Sequence, residues 1–159
     1  MVMKKEVVSI YVDNKANVLT RVVSLYGRRG FNIDSLTVSA TNDPDVSRIT
    51  VTFEGDNLTL HQIMSQTEKL EVVRSIKALD DKRSFFRELL MVKVAVENNT
   101  RREIKEVVDI YRAKIISFTK DEMVLELTGA PEKLDAFLDV LSDYDIIDIC
   151  RTGITGIEK

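Results

Sequence analysis

The stretch "VDNKANVLTRVVSLYGRRGFNIDSLTVSA", Val12 to Ala40, decides how this chain folds. A polar loop, Asp13–Asn17, runs straight into a segment where Val18, Leu19, Val22, Val23 and Tyr26 recur at helical spacing. That helix is expected to end at Gly27-Arg28-Arg29-Gly30, and from Phe31 to Thr41 the pattern returns to the period-two alternation of a strand. Two polar clusters therefore flank one helix: the loop before it, and Asn32 with Asp34 after it. They read either as caps and turns, with Asn17 as the N-cap, or as the wall of a pocket for a small zwitterion. In the second reading the N–H groups of Asn17, Val18 and Leu19 face a carboxylate at the positive end of the helix dipole. Asp13 and the loop carbonyls then accept from an ammonium group.

Outward from this stretch the pattern repeats. On its N-terminal side, Val8, Ile10 and Val12 alternate with Val7, Ser9 and Tyr11, a strand. On its C-terminal side, Asn42-Asp43-Pro44-Asp45 is a turn. A half-buried strand follows with Ile49, Val51 and Phe53 on one face, then a helix with Leu60, Ile63, Met64 and Thr67 on one face, then a strand from Glu71 to Leu79. The order is βαββαβ. After the charged Asp80-Asp81-Lys82-Arg83 it recurs: a strand from Phe86 to Glu97 and a helix with Ile104, Val107, Val108 and Tyr111 at i, i+3, i+4, i+7. Thr100 and Glu103 are spaced as a capping box at the start of that helix. Strands at Ile115–Thr119 and Met123–Thr128, a helix opened by Pro131, and a strand from Ile146 to Cys150 complete it. The expected fold is α+β, two tandem ferredoxin-like βαββαβ units with antiparallel sheets. The expected boundaries are residues 1–79, a linker at 80–83, and residues 84–159. The first strand is apolar on both alternating sets, so the sheet face opposite the helices is expected to be apolar and to be covered by another domain or subunit.

Composition narrows the function. Of 159 residues 44% are hydrophobic, ordinary for a folded domain, and the net charge of −3 divides into +1 over residues 1–83 and −4 over 84–159. Neither half is basic enough to favour a phosphate backbone. The opening MVMKKEVVSIYV has no long apolar core and no cleavage site, and no apolar run approaches a membrane span, so a cytoplasmic protein is expected. One cysteine, Cys150, and one histidine, His61, cannot form a soft-metal site, and His61 reads as a solvated or partly packed helix residue. The strand SRITVTFE lacks the aromatic signature of an RNA-recognition module. No phosphate loop, nucleophile elbow or other catalytic constellation is present, so the chain is expected not to be an enzyme.

Several blocks together carry a resemblance. They are Asn14, Val18, Leu19, Arg21, Val22 and Leu25; "RRGFNIDSLTV" from Arg28 to Val38; "DPDVSRITV" from Asp43; "RELLMVKV" from Arg87; "KLDAFL" from Lys133; and "RTGITGI" from Arg151. In this order the chain strongly resembles, over essentially its whole length, the regulatory (small) subunit of acetolactate synthase, also called acetohydroxyacid synthase. The resemblance implies that the first unit is an ACT domain, which binds amino acids at dimer interfaces. It implies a homodimer that binds valine and confers feedback inhibition on a separate catalytic subunit, which it also activates. It implies that thiamine diphosphate, magnesium and FAD sit on that catalytic subunit and that this chain holds no cofactor. The pathway is the biosynthesis of valine, leucine and isoleucine. By the same resemblance Asn14, Asn17, Val18 and Leu19 hold valine, and Asn32 and Ile33 of the partner subunit close the site. The family usually has glycine where this chain has Asn17. A stand-alone amino-acid-sensing ACT protein, without a catalytic partner, is the alternative.

Overall fold

The computed structural model describes residues 4–159; residues 1–3, which head the expected first domain and the MVMKKEVVSIYV segment, lie outside the described residues. The chain divides into two compact units, residues 4–85 with 153–159, and residues 86–152.

In the first unit, β1 (Lys4–Asp13) leads to α1 (Val18–Arg29), β2 (Ser35–Ala40), β3 (Val46–Gly55), α2 (Asn57–Glu68) and β4 (Val73–Ala78). The sheet order is β2-β3-β1-β4, with every neighbouring pair antiparallel. Alternation decides which side chains meet the helices. Val8, Ile10 and Val12 of β1, with Ile49, Val51 and Phe53 of β3, are buried in one core with Val18, Val22, Leu25 and Tyr26 of α1 and Ile63 of α2. The hydroxyl of Tyr26 bonds that of Thr67 at 2.9 Å, and Thr67 donates to the Ile63 carbonyl, so a buried polar pair joins the two helices without an unsatisfied group.

Helix α1 ends as its glycine demands. Gly30 is left-handed (φ 71), its N–H bonds the Gly27 carbonyl, and the N–H of Phe31 bonds that of Tyr26, the paired closure of a Schellman motif. The hydrophobic contact that accompanies this motif is here Phe31 against Tyr26, edge to face with centroids 6.3 Å apart. This stop directs Asn32 and Ile33 out of the helix.

The other face of this sheet corrects one expectation. It is polar rather than apolar: Ser9, Thr50 and Thr52 lie on it, with Arg48 stacked 5.4 Å over the Tyr11 ring. It is covered by the chain's own last residues. The Thr37 hydroxyl donates to the Ile154 carbonyl, Arg48 donates to the Gly156 carbonyl and the Ser9 hydroxyl, and Lys77 pairs with Glu158 at 2.6 Å. Ile154 is buried, and β9 (Thr155–Glu158), a strand absent from the sequence reading, pairs with β5. Gly153–Lys159 thus belong with the first unit, whereas the sequence boundary assigned them to the second.

In the second unit, β5 (Ser84–Ala95), whose first two residues group with the first unit, is followed by α3 (Arg101–Tyr111), β6 (Lys114–Phe118), β7 (Glu122–Gly129), α4 (Pro131–Leu141) and β8 (Ile146–Arg151), in the order β6-β7-β5-β8. Leu90, Val92, Val94, Leu125, Ile104, Leu134, Phe137 and Leu141 fill its core. The capping box at α3 does not form. Thr100 has helical dihedrals (φ −87, ψ −17), so its hydroxyl turns back to accept from the Glu97 N–H instead of the first turn of the helix. No helix among the described residues is long and apolar enough to cross a membrane.

Candidate functional site

The mouth of α1 is built by two segments far apart in sequence, the stretch from Asp13 to Arg21 and the residues just ahead of β4. β1 ends at Asp13, whose N–H bonds the Val72 carbonyl just ahead of β4. After four loop residues the helix begins at Val18. Asn17 holds the expected N-cap position, its carbonyl accepting the N–H of Arg21, but it makes that sharp entry in the left-handed region (φ 67, ψ 2) and its side chain makes no cap bond. An N-cap holds an extended backbone so that its side chain can reach back to the first turn. At positive φ it cannot. Glycine is the residue such a position favours, and asparagine is among the few others that tolerate it. The residue type thus answers a backbone requirement. Among the described residues, the N–H groups of Leu19 and Thr20 have no intramolecular acceptor, leaving donors at the positive end of the helix.

Beside this entry lies a hollow of about 340 Å³, whose wall includes Asp13, Lys15, Asn17, Val18, Arg21 and Glu71. A second, more open hollow of about 770 Å³ continues along α1 past Thr20, Ser24 and Gly27, with Arg21 shared between the two. The first hollow presents both signs of charge. The Asp13 carboxylate accepts from Arg74 Nε at 2.8 Å and Lys15 Nζ at 3.2 Å; Arg74 first, then Lys15, holds it below the usual carboxylate range. It is therefore already committed, and Glu71 offers the carboxylate in this wall that is free of ion pairs among the described residues. A wall that carries both Arg21 and an unpaired Glu71 carboxylate, at the start of a helix, suits a zwitterion.

The residues singled out in the sequence divide. Asn17 and Val18 line the first hollow, although Val18 is also core. Leu19 does not line it and is 40% exposed. Asn14 does not line it either: its Nδ2 donates to the Pro44 carbonyl at 2.8 Å, and its Oδ1 accepts from the Ser47 hydroxyl at 3.0 Å. Asn32 is exposed and Ile33 half-buried; neither lines either hollow. Arg21 and Glu71 were not anticipated. Arg21 carried a signal, since it follows the loop by one helical turn. Glu71 carried none, because only the antiparallel pairing of β1 with β4 brings it there.

Comparison with known proteins matches the sequence and the fold of the chain to a family. A family profile described as the AHAS small subunit-like ACT domain matches residues 8–75, and one described as the small subunit of acetolactate synthase matches residues 87–159. The chain is 40% identical over 151 residues to the acetolactate synthase small subunit of Mycolicibacterium smegmatis, covering 95% of this chain and 89% of that protein. It is 36% identical to the acetolactate synthase isozyme 3 small subunit of Salmonella typhimurium, covering 98% and 96%. The crystal structure of the acetolactate synthase small subunit from Thermotoga maritima superposes with a TM-score of 0.89 at 35% identity, covering 98% of each chain. With relatives this similar along nearly their whole length, and with an ACT domain carrying the hollow at its first helix, the chain belongs to the acetolactate synthase small-subunit family.

Proposed function

We propose that the chain is the regulatory subunit of an acetolactate synthase, that it binds valine at the mouth of α1, and that it activates the catalytic subunit and makes it sensitive to valine. The observation that carries this reading is the hollow at Asn17, lined by Arg21 and Glu71 beside the start of α1. The valine carboxylate faces the helix start and Arg21, the ammonium faces Glu71, and the side chain lies against Val18 and Val72. Asn14 supports the loop from behind.

Asn32 and Ile33 enter this site from a second copy of the chain. In support, β2 is an edge strand with no partner on its outer side among the described residues, and Val38 on it is 45% exposed. On α1, Leu19 and Val23 stand one turn apart at 40% and 43% exposure. Such a strand edge and apolar stripe are features that a homodimer covers. Chemistry is assigned to the catalytic subunit, with thiamine diphosphate, magnesium and FAD. The chain itself contributes effector binding and the contact that transmits it, in the cytoplasm.

Calorimetric titration of the purified chain with valine, leucine and isoleucine tests this, repeated with the catalytic subunit added. Valine should bind, and the chain should capture the catalytic subunit. Binding without capture would favour the stand-alone sensor; no binding of any of the three would overturn the effector site.

A further inference from the structure

We propose that Arg74, which lines neither hollow, is a positioning residue of the effector site: with Ser47 it clamps the loop 13–17 to the β2–β3 turn and so fixes where α1 presents its first turn. The inference rests on the reading of that site as one for valine.

The loop has few bonds of its own. Lys15 N–H reaches the Asp13 carbonyl at 3.0 Å, and Val18 N–H reaches the Lys15 carbonyl only at 3.5 Å. It nonetheless holds Asn17 in a left-handed conformation that an unrestrained chain seldom visits. The restraint comes from outside. Arg74, on β4, donates from Nε to Asp13 Oδ1 at 2.8 Å and from Nη2 to the Asp45 carbonyl at 3.2 Å, with Nη1 3.9 Å from the Asp43 carboxylate. The same Asp45 carbonyl accepts the N–H of Asn14 at 2.8 Å. Asn14 is gripped twice more on the same turn, by the Pro44 carbonyl and by the Ser47 hydroxyl. The turn is itself closed by Asp45 N–H on Asp43 Oδ1. One guanidinium thus spans the end of β1 and the tip of the β2–β3 hairpin.

A planar fork can serve a carboxylate and a carbonyl together, whereas a lysine ammonium at the same place supplies the charge without the fork. A loop left loose must be ordered when ligand binds, and that ordering weakens affinity. The clamp also joins the effector loop to the hairpin that carries the β2 edge, the edge through which a second copy is assigned to complete the site.

The test uses the full chain as wild type, Arg74→Gln, Arg74→Lys, Ser47→Ala and the Arg74→Gln/Ser47→Ala double variant. Valine affinity is read by calorimetry, amide exchange at residues 13–17 by mass spectrometry, and thermal midpoint by calorimetric scan. Arg74→Gln and Ser47→Ala should each weaken valine roughly 3- to 10-fold and speed exchange in the loop, with the thermal midpoint nearly unchanged. Arg74→Lys should restore only part of the affinity. The double variant should lose less than the product of the single losses, because both act through one loop. Wild-type affinity in Arg74→Gln overturns the positioning role while the effector reading stands. Absence of valine binding by the wild-type chain sinks the effector reading, and the positioning role with it.

Discussion

Asn17 sits at φ 67, where a side chain other than glycine meets steric resistance and asparagine meets least. Asn17→Ala should therefore lower stability by about 1 kcal/mol, and Asn17→Gly should hold or slightly raise it, as read from chemical denaturation. Asn17→Gly also removes a side chain from the wall of the hollow, so valine titration should show tighter binding; weaker binding would mean that the amide itself contacts the ligand. Tyr26 offers a test inside the core. Burial raises its phenol above its ordinary pKa, and its hydroxyl has one partner, Thr67, which keeps its own bond to Ile63. Tyr26→Phe should cost about 1 kcal/mol, because Thr67 remains satisfied. At the loop, Asp13 has a depressed folded pKa, so its contribution is present above the unfolded carboxylate value and lost as pH falls through the folded one. Loop order, read by amide exchange, should hold at neutral pH and fade below roughly pH 4. Residue types pointed to the loop before any coordinates did. They could not reveal that Asn17 serves a backbone angle or that Asn14 faces the β2–β3 turn, because dihedrals and partners some thirty positions away leave no local pattern.

Among the elements, the C-terminal segment changes the account most. Gly153 has φ 86, and a Cβ there would lie 2.6 Å from Ser35 Cβ. Gly153→Ala combines that clash with a strained backbone and should destabilise the first unit by about 2 kcal/mol, measured as a lower denaturant midpoint. Truncation after Thr152 removes Ile154 from its buried position and leaves Arg48 without the Gly156 carbonyl, and should lower the midpoint further. The helices and long strands were legible because their apolar residues repeat: α1, α3 and α4 follow the 3.6-residue stripe, and β1 and β3 alternate. The last strand was not. It is four residues long, contains a glycine, and is held by partners such as Arg48, 108 positions from Gly156. The same segment covers the sheet face that β3 makes polar, a property that the first strand read alone could not show.

For the whole molecule, the duplication of βαββαβ was readable because each unit must bury one helical layer against one sheet, which imposes the same sequence of periods twice. The assembly was not readable to the same extent, since edges and surface stripes carry no period of their own. If β2 and the Leu19–Val23 stripe join two copies, Val38→Asp or Val23→Asp should yield monomers by sedimentation and reduce valine binding in the same preparation. A monomer that binds valine with unchanged affinity would remove Asn32 and Ile33 from the site.

The measurement that tests the account most directly is acetolactate formation by the catalytic subunit, alone and with this chain added, across a valine titration. The account predicts a higher rate when the chain is added, an inhibition by valine that appears only in its presence, and loss of that inhibition in Asn32→Ala with the higher rate retained. An unchanged rate and the same indifference to valine with and without the chain would contradict it.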